Sequence, residues 1–432
     1  MVGNAPSRAT AEGNPPTVPR ILILKNKVFG TSGFFFRKLT SSLFKKLPKI
    51  AIIETSMKFI GGTDGGLSTI AFEEVAHVIN DWYKVIRQHN FSKAAAMREE
   101  IENMLPNMAE NQNVLLYFNL IDSRYKLMTE NYDESGELLD KVKAKALEDS
   151  TDDMIHYYFY LFSGMYEFHQ KRYVKAIMYY KIAEERLKKI PDEIEKAEFH
   201  YQLAIAYYQI DQNVFSMTHA KIAYDAFKAH DSYKEKMINC EMILGANKLD
   251  LLLHEQAQTH YEKAHAIAKE NGFRYTEGLS LFNLGICFER QKMFIEASNC
   301  FKQAIRIPEH LASYVGTRST YMLSKVLFQL GAYEAAQSWY EKALKRAMDE
   351  GEQEYLAKLK LVYSLYAEQN DQEVRKNLHV LDDMELWTET ADLSLEIAEY
   401  YKSKADLEKA AYYFEHGHFA KDKIIKISEA LL

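Results

Sequence analysis

The chain of 432 residues is 47% hydrophobic, 13% aromatic and 27% charged, within the globular range and long enough for two or three domains. Its net charge of −7 is uneven: residues 1–66 carry ten Lys/Arg against three Asp/Glu, which leaves 44 basic and 58 acidic side chains, a net of −14, for the rest. An acidic body argues against phosphate-backbone binding and so against direct nucleic-acid contact, and three scattered cysteines (Cys240, Cys287, Cys300) without CxxC spacing read as small buried residues in a reducing, cytoplasmic compartment.

Residues 1–66 form a basic extension with short apolar bursts, ILIL at 21–24, FFF at 34–36 and IAII at 50–53. None approaches the ~18 residues of a membrane span, because Lys25, Lys27, Arg37, Lys38 and Lys45 interrupt them. Three readings are open for this stretch: a membrane-surface tail, a poorly ordered extension, or a non-native leader upstream of a true start at Met57. Five of the eight prolines fall before residue 50, leaving Pro106, Pro191 and Pro308 for the remainder. Such scarcity favours long helices, since an interior proline costs about 3 kcal/mol.

From Phe72 the pattern turns helical. Val75, Val78, Ile79, Trp82, Tyr83 and Ile86 recur at helical spacing and give one apolar face. Asn90-Phe91-Ser92 breaks this helix, and Ser92 is the expected N-cap of the next. A third helix runs through QNVLLYFNLIDSRYKLMTE, Asn131 to Gly136 reads as a loop, and a fourth segment runs toward Ala146. Residues 67–150 therefore read as a helical bundle.

A repeat array follows over 151–432. The stretch Gly278–Ile305 has Leu284-Gly285 on a first helix and Ala297, Phe301 and Ala304 on a second, at tetratricopeptide positions. The missing side chain of Gly285 lets the second helix approach, and Phe301 fills the groove. Aligning on Ala297 gives Ala176, Ser216, Ala257, Ala336 and Ala410, with successive gaps of 40, 41, 40, 39 and then 74 residues. The double gap predicts a degenerate repeat at 354–390, for about seven units. Gly164 and Gly245 match Gly285. The fold class is thus all-α, with a bundle leading into a superhelix whose first helices line a concave face. Such faces bind extended peptides or partner helices.

Motifs for chemistry are sparse: there is no GxGxxG, P-loop or GxSxG. HEQAQTH at 254–260 spaces its histidines too far apart for a zincin site. HGH at 416–418 reads as surface, and the Asp152-Asp153 and Asp382-Asp383 pairs read as helix-start caps. Two polar constellations remain. Asn247, Asp250 and Asn283 lie on adjacent first helices; an Asn amide can bond both N–H and C=O of an extended peptide, or it can simply bridge two helices. Glu110-Asn111-Gln112-Asn113 opens the third bundle helix, where such residues cap, though a glutamine on a rigid helix can also orient a water for attack on a phosphoryl group.

With INDWYKVIRQ (79–88), ENQNVLLYF (110–118), YYFYLFSGMYEF (157–168), DEIEKAEFHYQLA (192–204) and FNLGIC (282–287) in register, the region from about 72 to 425 resembles the Rap family of response-regulator aspartate phosphatases. The resemblance implies an N-terminal three-helix bundle joined to a right-handed tetratricopeptide superhelix. It implies that the bundle grips a response regulator and removes the phosphoryl group from its aspartate, as in sporulation or competence phosphorelays. Gln112 then matches the catalytic glutamine, with Mg²⁺ carried by the bound receiver domain and no cofactor of the chain's own. The groove would take a short imported signalling peptide on Asn247, Asp250 and Asn283, and peptide binding would compact the array and release the regulator. Some family members instead block a regulator's DNA-binding domain without dephosphorylating it. The acidic run around the glutamine is weakened here to Ala109-Glu110-Asn111-Gln112-Asn113, and Ser123 stands where an aromatic residue facing the regulator is expected.

Overall fold

The computed structural model describes residues 69–88, 90–148, 151–313 and 315–429, with the side chains of 427–429 excepted. The expectations for 1–66 fall outside these residues. Among the described residues the chain is all-α, with nineteen α-helices and no strand beyond an isolated bridge between Ile70 and Met108.

The N-terminal unit comprises α1 (Phe72–Arg87), α2 (Phe91–Met104), α3 (Gln112–Met128) and α4 (Tyr132–Ala146). Trp82 has no exposure, donates its indole N–H to the Ala94 carbonyl at 2.8 Å, and lies within 6 Å of the Phe118 and Tyr125 rings. It thereby ties α1 to both neighbours. Arg98 adds a bidentate bond from α2 to Asp122 of α3, at 2.7 and 3.0 Å. The N-cap of α2 is Asn90, whose side chain accepts from the Lys93 N–H at 3.2 Å, so Ser92 lies inside the helix. Asn131–Gly136 is not a loop either: α4 starts at Tyr132. Gly136 belongs inside that helix because a Cβ there would come within 2.8 Å of the Tyr166 ring.

The array proper begins with α5 (Asp153–His169) and α6 (Tyr173–Leu187), followed by α7 (Glu193–Gln209), α8 (Asn213–Lys228), α9 (Lys234–Asp250), α10 (His254–Glu270), α11 (Arg274–Arg290) and α12 (Phe294–Ile305). A short α13 (Pro308–Leu311) precedes α14 (Val315–Gln329), α15 (Tyr333–Asp349), α16 (Gln353–Tyr363), α17 (Asp371–Asp383), α18 (Trp387–Ser403) and α19 (Leu407–Glu429). The pair α16–α17 is the degenerate repeat expected at 354–390; its first helix ends in a π turn at Ser364–Glu368.

Sterics explain the regular pairing. A Cβ at Gly164, Gly245 or Gly285 would fall 2.4, 2.8 or 2.6 Å from the ring of Tyr180, Tyr261 or Phe301 on the partner helix. Burying each aromatic side chain stabilises by roughly 1.5–3 kcal/mol, which the close approach makes available. The turns are also uniform. Lys171, Asp211, Leu252 and Lys292 are left-handed at φ 59–61°, and the following N–H bonds back five residues, as from Arg172 to Glu167 and Met293 to Phe288, both at 2.9 Å. This is the Schellman closure of a helix end. Glu130, between α3 and α4, has the same φ of 61° and the same bond, Asn131 to Lys126 at 2.8 Å. The last pair of the N-terminal unit therefore turns as the repeats do, although its sequence lacks their spacing.

Three apolar clusters run along the stack. The first extends from Val75 in α1 to Ala206 in α7 without a break near residue 150, the second from Ala197 to Val362, and the third from Ala357 to Tyr413. Cys240, Cys287 and Cys300 are free thiols buried in the second, as their sequence setting suggested.

Candidate functional site

Gln112 occupies the first turn of α3. Asn111 is the N-cap, its side chain accepting from the Val114 N–H at 3.2 Å, so capping falls to Asn111 and leaves Gln112 exposed. Lys145, in the last turn of α4, donates to the Gln112 Oε1 at 3.0 Å. A carboxamide oxygen has a second lone pair and the NH₂ two donors, so a held Gln112 retains capacity for a water or a phosphoryl oxygen. Glu110 and Asn113 are exposed beside it. Ser123 does not share that surface. It has no exposure and bonds the Ser135 hydroxyl at 2.8 Å, letting α4 lie close against α3.

The junction between this unit and the array centres on Glu195 of α7, which is fully buried. Arg87 of α1 donates to it at 2.9 Å, and the Tyr83 and Tyr157 hydroxyls at 3.1 and 2.9 Å. Burial raises the Glu195 carboxyl to about 7 despite the opposing pull of Arg87. Nothing in the local sequence marks this group; its partners come from two other helices, Arg87 and Tyr83 from α1 and Tyr157 from α5.

The three groove residues differ in setting. Asn247 has no exposure; its amide donates to the Ser216 hydroxyl of α8 at 2.9 Å and the Ile243 carbonyl at 2.8 Å, while Oδ1 has no partner. Asn283 is nearly buried, with Nδ2 3.6 Å from the Met242 sulfur. Asp250 is exposed at the end of α9 and hydrogen-bonds the buried Tyr208 hydroxyl. So Asn247 does bridge two helices, with one acceptor left over.

Sequence reasoning missed the more C-terminal part of the concave face. A cavity of about 570 Å³ lies mainly between the first helices α11, α14, α16 and α18; Phe282 and Ile286, flanking Asn283, line it, whereas Asn247 and Asp250 do not. Lys325 is buried in its wall, 3.0 Å from Glu289 and 2.5 Å from Glu396. Burial would lower its pKa, but the two carboxylates hold it well above the ordinary lysine value. Lys358 sits likewise 2.6 Å from Glu354 and 3.8 Å from Glu389. Arg290 of α11 reaches Asp392 of α18 at 2.8 Å, across 102 positions. The available signal was a lysine inside an apolar run, as in YMLSKVLF (321–328) and YLAKLKLVY (355–363).

Two other expectations change. Asp382-Asp383 closes α17 instead of opening a helix, and of the HGH pair His418 is exposed as expected whereas His416 is largely buried, with Nε2 3.1 Å from Asp382 at the end of α17. Asp152 does cap α5, accepting from Met154 at 2.7 Å. Among the described residues no three His, Cys, Asp or Glu side chains group to hold a metal ion, and no helix is long and apolar enough to cross a membrane.

Comparison with known proteins identifies the scaffold. Residues 69–130 match the family model for response regulator aspartate phosphatase H, N terminal, and 241–310 match a tetratricopeptide repeat. Response regulator aspartate phosphatase I of Bacillus subtilis (strain 168) is 30% identical over 364 residues, covering 83% of this chain and 93% of that protein. The chain belongs to the Rap family. Response regulator aspartate phosphatase J of the same organism is 32% identical over 365 residues, covering 82% of this chain and 97% of that Rap protein. The crystal structure of the apo form of RapI superimposes with a TM-score of 0.71 at 30% identity, covering 82% of this chain and 99% of that one. A Rap protein complexed with competence and sporulation factor gives the same TM-score at 32% identity and the same coverage.

Proposed function

We propose that this protein is a peptide-regulated phosphatase that hydrolyses the phosphoaspartate of a response-regulator receiver domain. The observation that carries this reading is Gln112, exposed on the first turn of α3 and held by Lys145 at 3.0 Å, within the segment that matches a Rap N-terminal model. The helices of 67–150 grip the receiver. Gln112 orients a water whose oxygen attacks phosphorus as the P–O bond to the aspartate breaks, giving inorganic phosphate and a free carboxylate. Mg²⁺ belongs to the receiver and offsets phosphoryl charge there. The partner is a cytoplasmic response regulator.

The array of 151–432 takes a short signalling peptide, with Asn283 and Asp250 as direct contacts and Asn247 supplying its unpaired oxygen. Support comes from relatives solved with peptides: the Rap protein with competence and sporulation factor, and the Rap conjugation gene regulator of plasmid pLS20 with the Phr* peptide, 30% identical with a TM-score of 0.59. Peptide affinity differs between two packings of the superhelix, and that difference moves the N-terminal unit.

A second reading is a non-catalytic inhibitor that covers a regulator's DNA-binding domain. It is favoured by the single acidic side chain in Ala109–Asn113 and by Asn111 serving as a cap. The test is incubation with a panel of phosphorylated receivers, with and without candidate peptides. Loss of the phosphoryl group, suppressed by a peptide, supports the phosphatase. Release of DNA in a gel shift without dephosphorylation supports the inhibitor.

A further inference from the structure

Two apolar cores meet on one helix. Among the described residues α16 alone serves both the second and the third cluster: Tyr355, Leu359 and Val362 join the second, Ala357 and Leu361 the third. The third cluster is completed by residues from Leu365 to Tyr413, and no residue of α11 or α14 belongs to it. The helices α17–α19 are therefore carried by α16 and share no apolar core with the wall that α11 and α14 form.

The end of α16 is also the least regular turn of the array. After α5, α7, α9, α11, α14 and α18 the closing N–H bonds back five residues, as from Met293 to Phe288. After α16 the Asn370 N–H reaches back six, to the Ser364 carbonyl at 3.0 Å, through the π turn and a left-handed Gln369 at φ 52°. A π turn loosens the helical ladder and tends to sit at functional positions.

What joins α18 to the opposite wall is polar. Arg290 of α11 donates to Asp392 at 2.8 Å, with both side chains 46% exposed. One turn on, Glu396 takes Lys325 of α14 at 2.5 Å, Gln329 at 2.8 Å and the Tyr366 hydroxyl at 3.2 Å. Between the walls lies the cavity of about 570 Å³, with Phe282, Ile286 and Met322 on one side and Leu393 and Tyr400 on the other. An exposed ion pair stabilises little and is screened by salt, so this closure can be undone without exposing either core.

We propose that α17–α19 form a lid that turns about α16 and shuts the cavity, with Arg290 and Asp392 as its clasp. The chain holds the lid closed by itself. On the peptide reading, on which this consequence rests, a peptide held at Asn283 gains the cavity only while the clasp is open.

The test is thiol labelling of the full chain carrying Met322→Cys, read against the parent chain, whose own thiols are buried. With the clasp intact, the new thiol should react with a maleimide about a hundredfold more slowly than free glutathione, since only the open state admits the reagent. Adding Asp392→Lys sets like charges face to face and should speed labelling by about tenfold, with the circular dichroism spectrum unchanged. Adding Arg290→Glu to that protein reverses the pair and should return the rate to within about threefold of the start; the residue reflects Asp250, whose charge also acts on position 290. A peptide selected on the wild type should associate faster with Asp392→Lys protein. Labelling of Met322→Cys at the rate of a free thiol, no acceleration by Asp392→Lys, or no slowing on reversal overturns the lid. Accelerated labelling with unchanged peptide association overturns its gating role, whereas a wild type that binds no peptide sinks the peptide reading and leaves the lid standing on the labelling.

Discussion

Arg87 in α1 and Glu195 in α7 lie 2.9 Å apart with both side chains out of solvent, although 108 positions separate them. Tyr83 and Tyr157 complete the cluster. This contact decides how the helix unit carrying Gln112 is seated on the array. Breaking a buried pair by removing one partner typically costs 3–5 kcal/mol, because the other charge stays behind. Any shift of the superhelix that moves α7 must therefore carry α1 with it or lose that energy.

The pair should be read through its pH dependence. Burial lifts Glu195 from its ordinary 4.5 to about 7, so between those values the folded chain holds a proton that the unfolded chain has lost. Its contribution to stability is present below about 4.5 and is lost as pH rises through 7. Glu195→Gln should gain on the wild type between pH 5 and 8, by up to about 3 kcal/mol, in urea denaturation at constant ionic strength. His310 acts oppositely: burial, with Arg346 nearby, lowers it to about 4, so its share is lost as pH falls from 6.5. The readout is thus the gap between variant and wild type. A gap of equal size at both pH values would assign the titration elsewhere.

Gly285→Ala should destabilise the array by about 1–3 kcal/mol, because its Cβ would fall 2.6 Å from the Phe301 ring. Phe301→Leu alone also loses packing, yet the double variant should cost less than the two single effects added. Thermal melts of the four proteins close the cycle. Strict additivity would mean that the glycine does not hold open the space the ring fills.

Those glycine–aromatic contacts were legible in the sequence because the steric rule acts at fixed spacing. Gly164 with Tyr180, Gly245 with Tyr261 and Gly285 with Phe301 are one relationship written three times. The degenerate repeat at α16–α17 followed from a gap of doubled length for the same reason. What spacing could not reveal were polar groups whose partners come from distant helices. Ser123 gave no sign of its bond to Ser135, nor did Lys325 of its place between Glu289 and Glu396. The cap at Asn90, taken for Ser92, shows a local limit: two residues separated by one position can both cap, and the helix entry angle chooses.

Asn247 and Asn283 should separate stability from peptide binding. Asn247→Ala removes a buried bond to Ser216 and should cost about 1–2 kcal/mol. Asn283→Ala gives up only a weak contact with the Met242 sulfur, so the melting temperature should hardly move. If Asn283 contacts a peptide backbone, its loss should weaken binding of a peptide selected on the wild type by about tenfold, as one hydrogen bond of ~1.4 kcal/mol implies. Calorimetric titration measures this. Unchanged affinity in a correctly folded Asn283→Ala protein would remove Asn283 from the site.

Gln112 offers the sharpest separation of chemistry from binding. Its side chain is exposed at the first position of α3, and the cap bond belongs to Asn111, so Gln112→Ala should fold as the wild type does. If the amide orients the attacking water, that variant should still bind a phosphorylated receiver while release of phosphate falls by about a hundredfold or more, the scale on which misplaced reacting groups lower rates. Lys145→Met tests the holding contact: Gln112 then keeps its chemistry but loses the 3.0 Å bond that fixes it. A smaller fall in turnover is expected there, with receiver affinity unchanged. Single-turnover decay of labelled receiver, with binding followed separately by sedimentation, distinguishes the steps. Wild-type turnover in Gln112→Ala would move the water-orienting role elsewhere, whereas loss of binding in that variant would make Gln112 a docking residue.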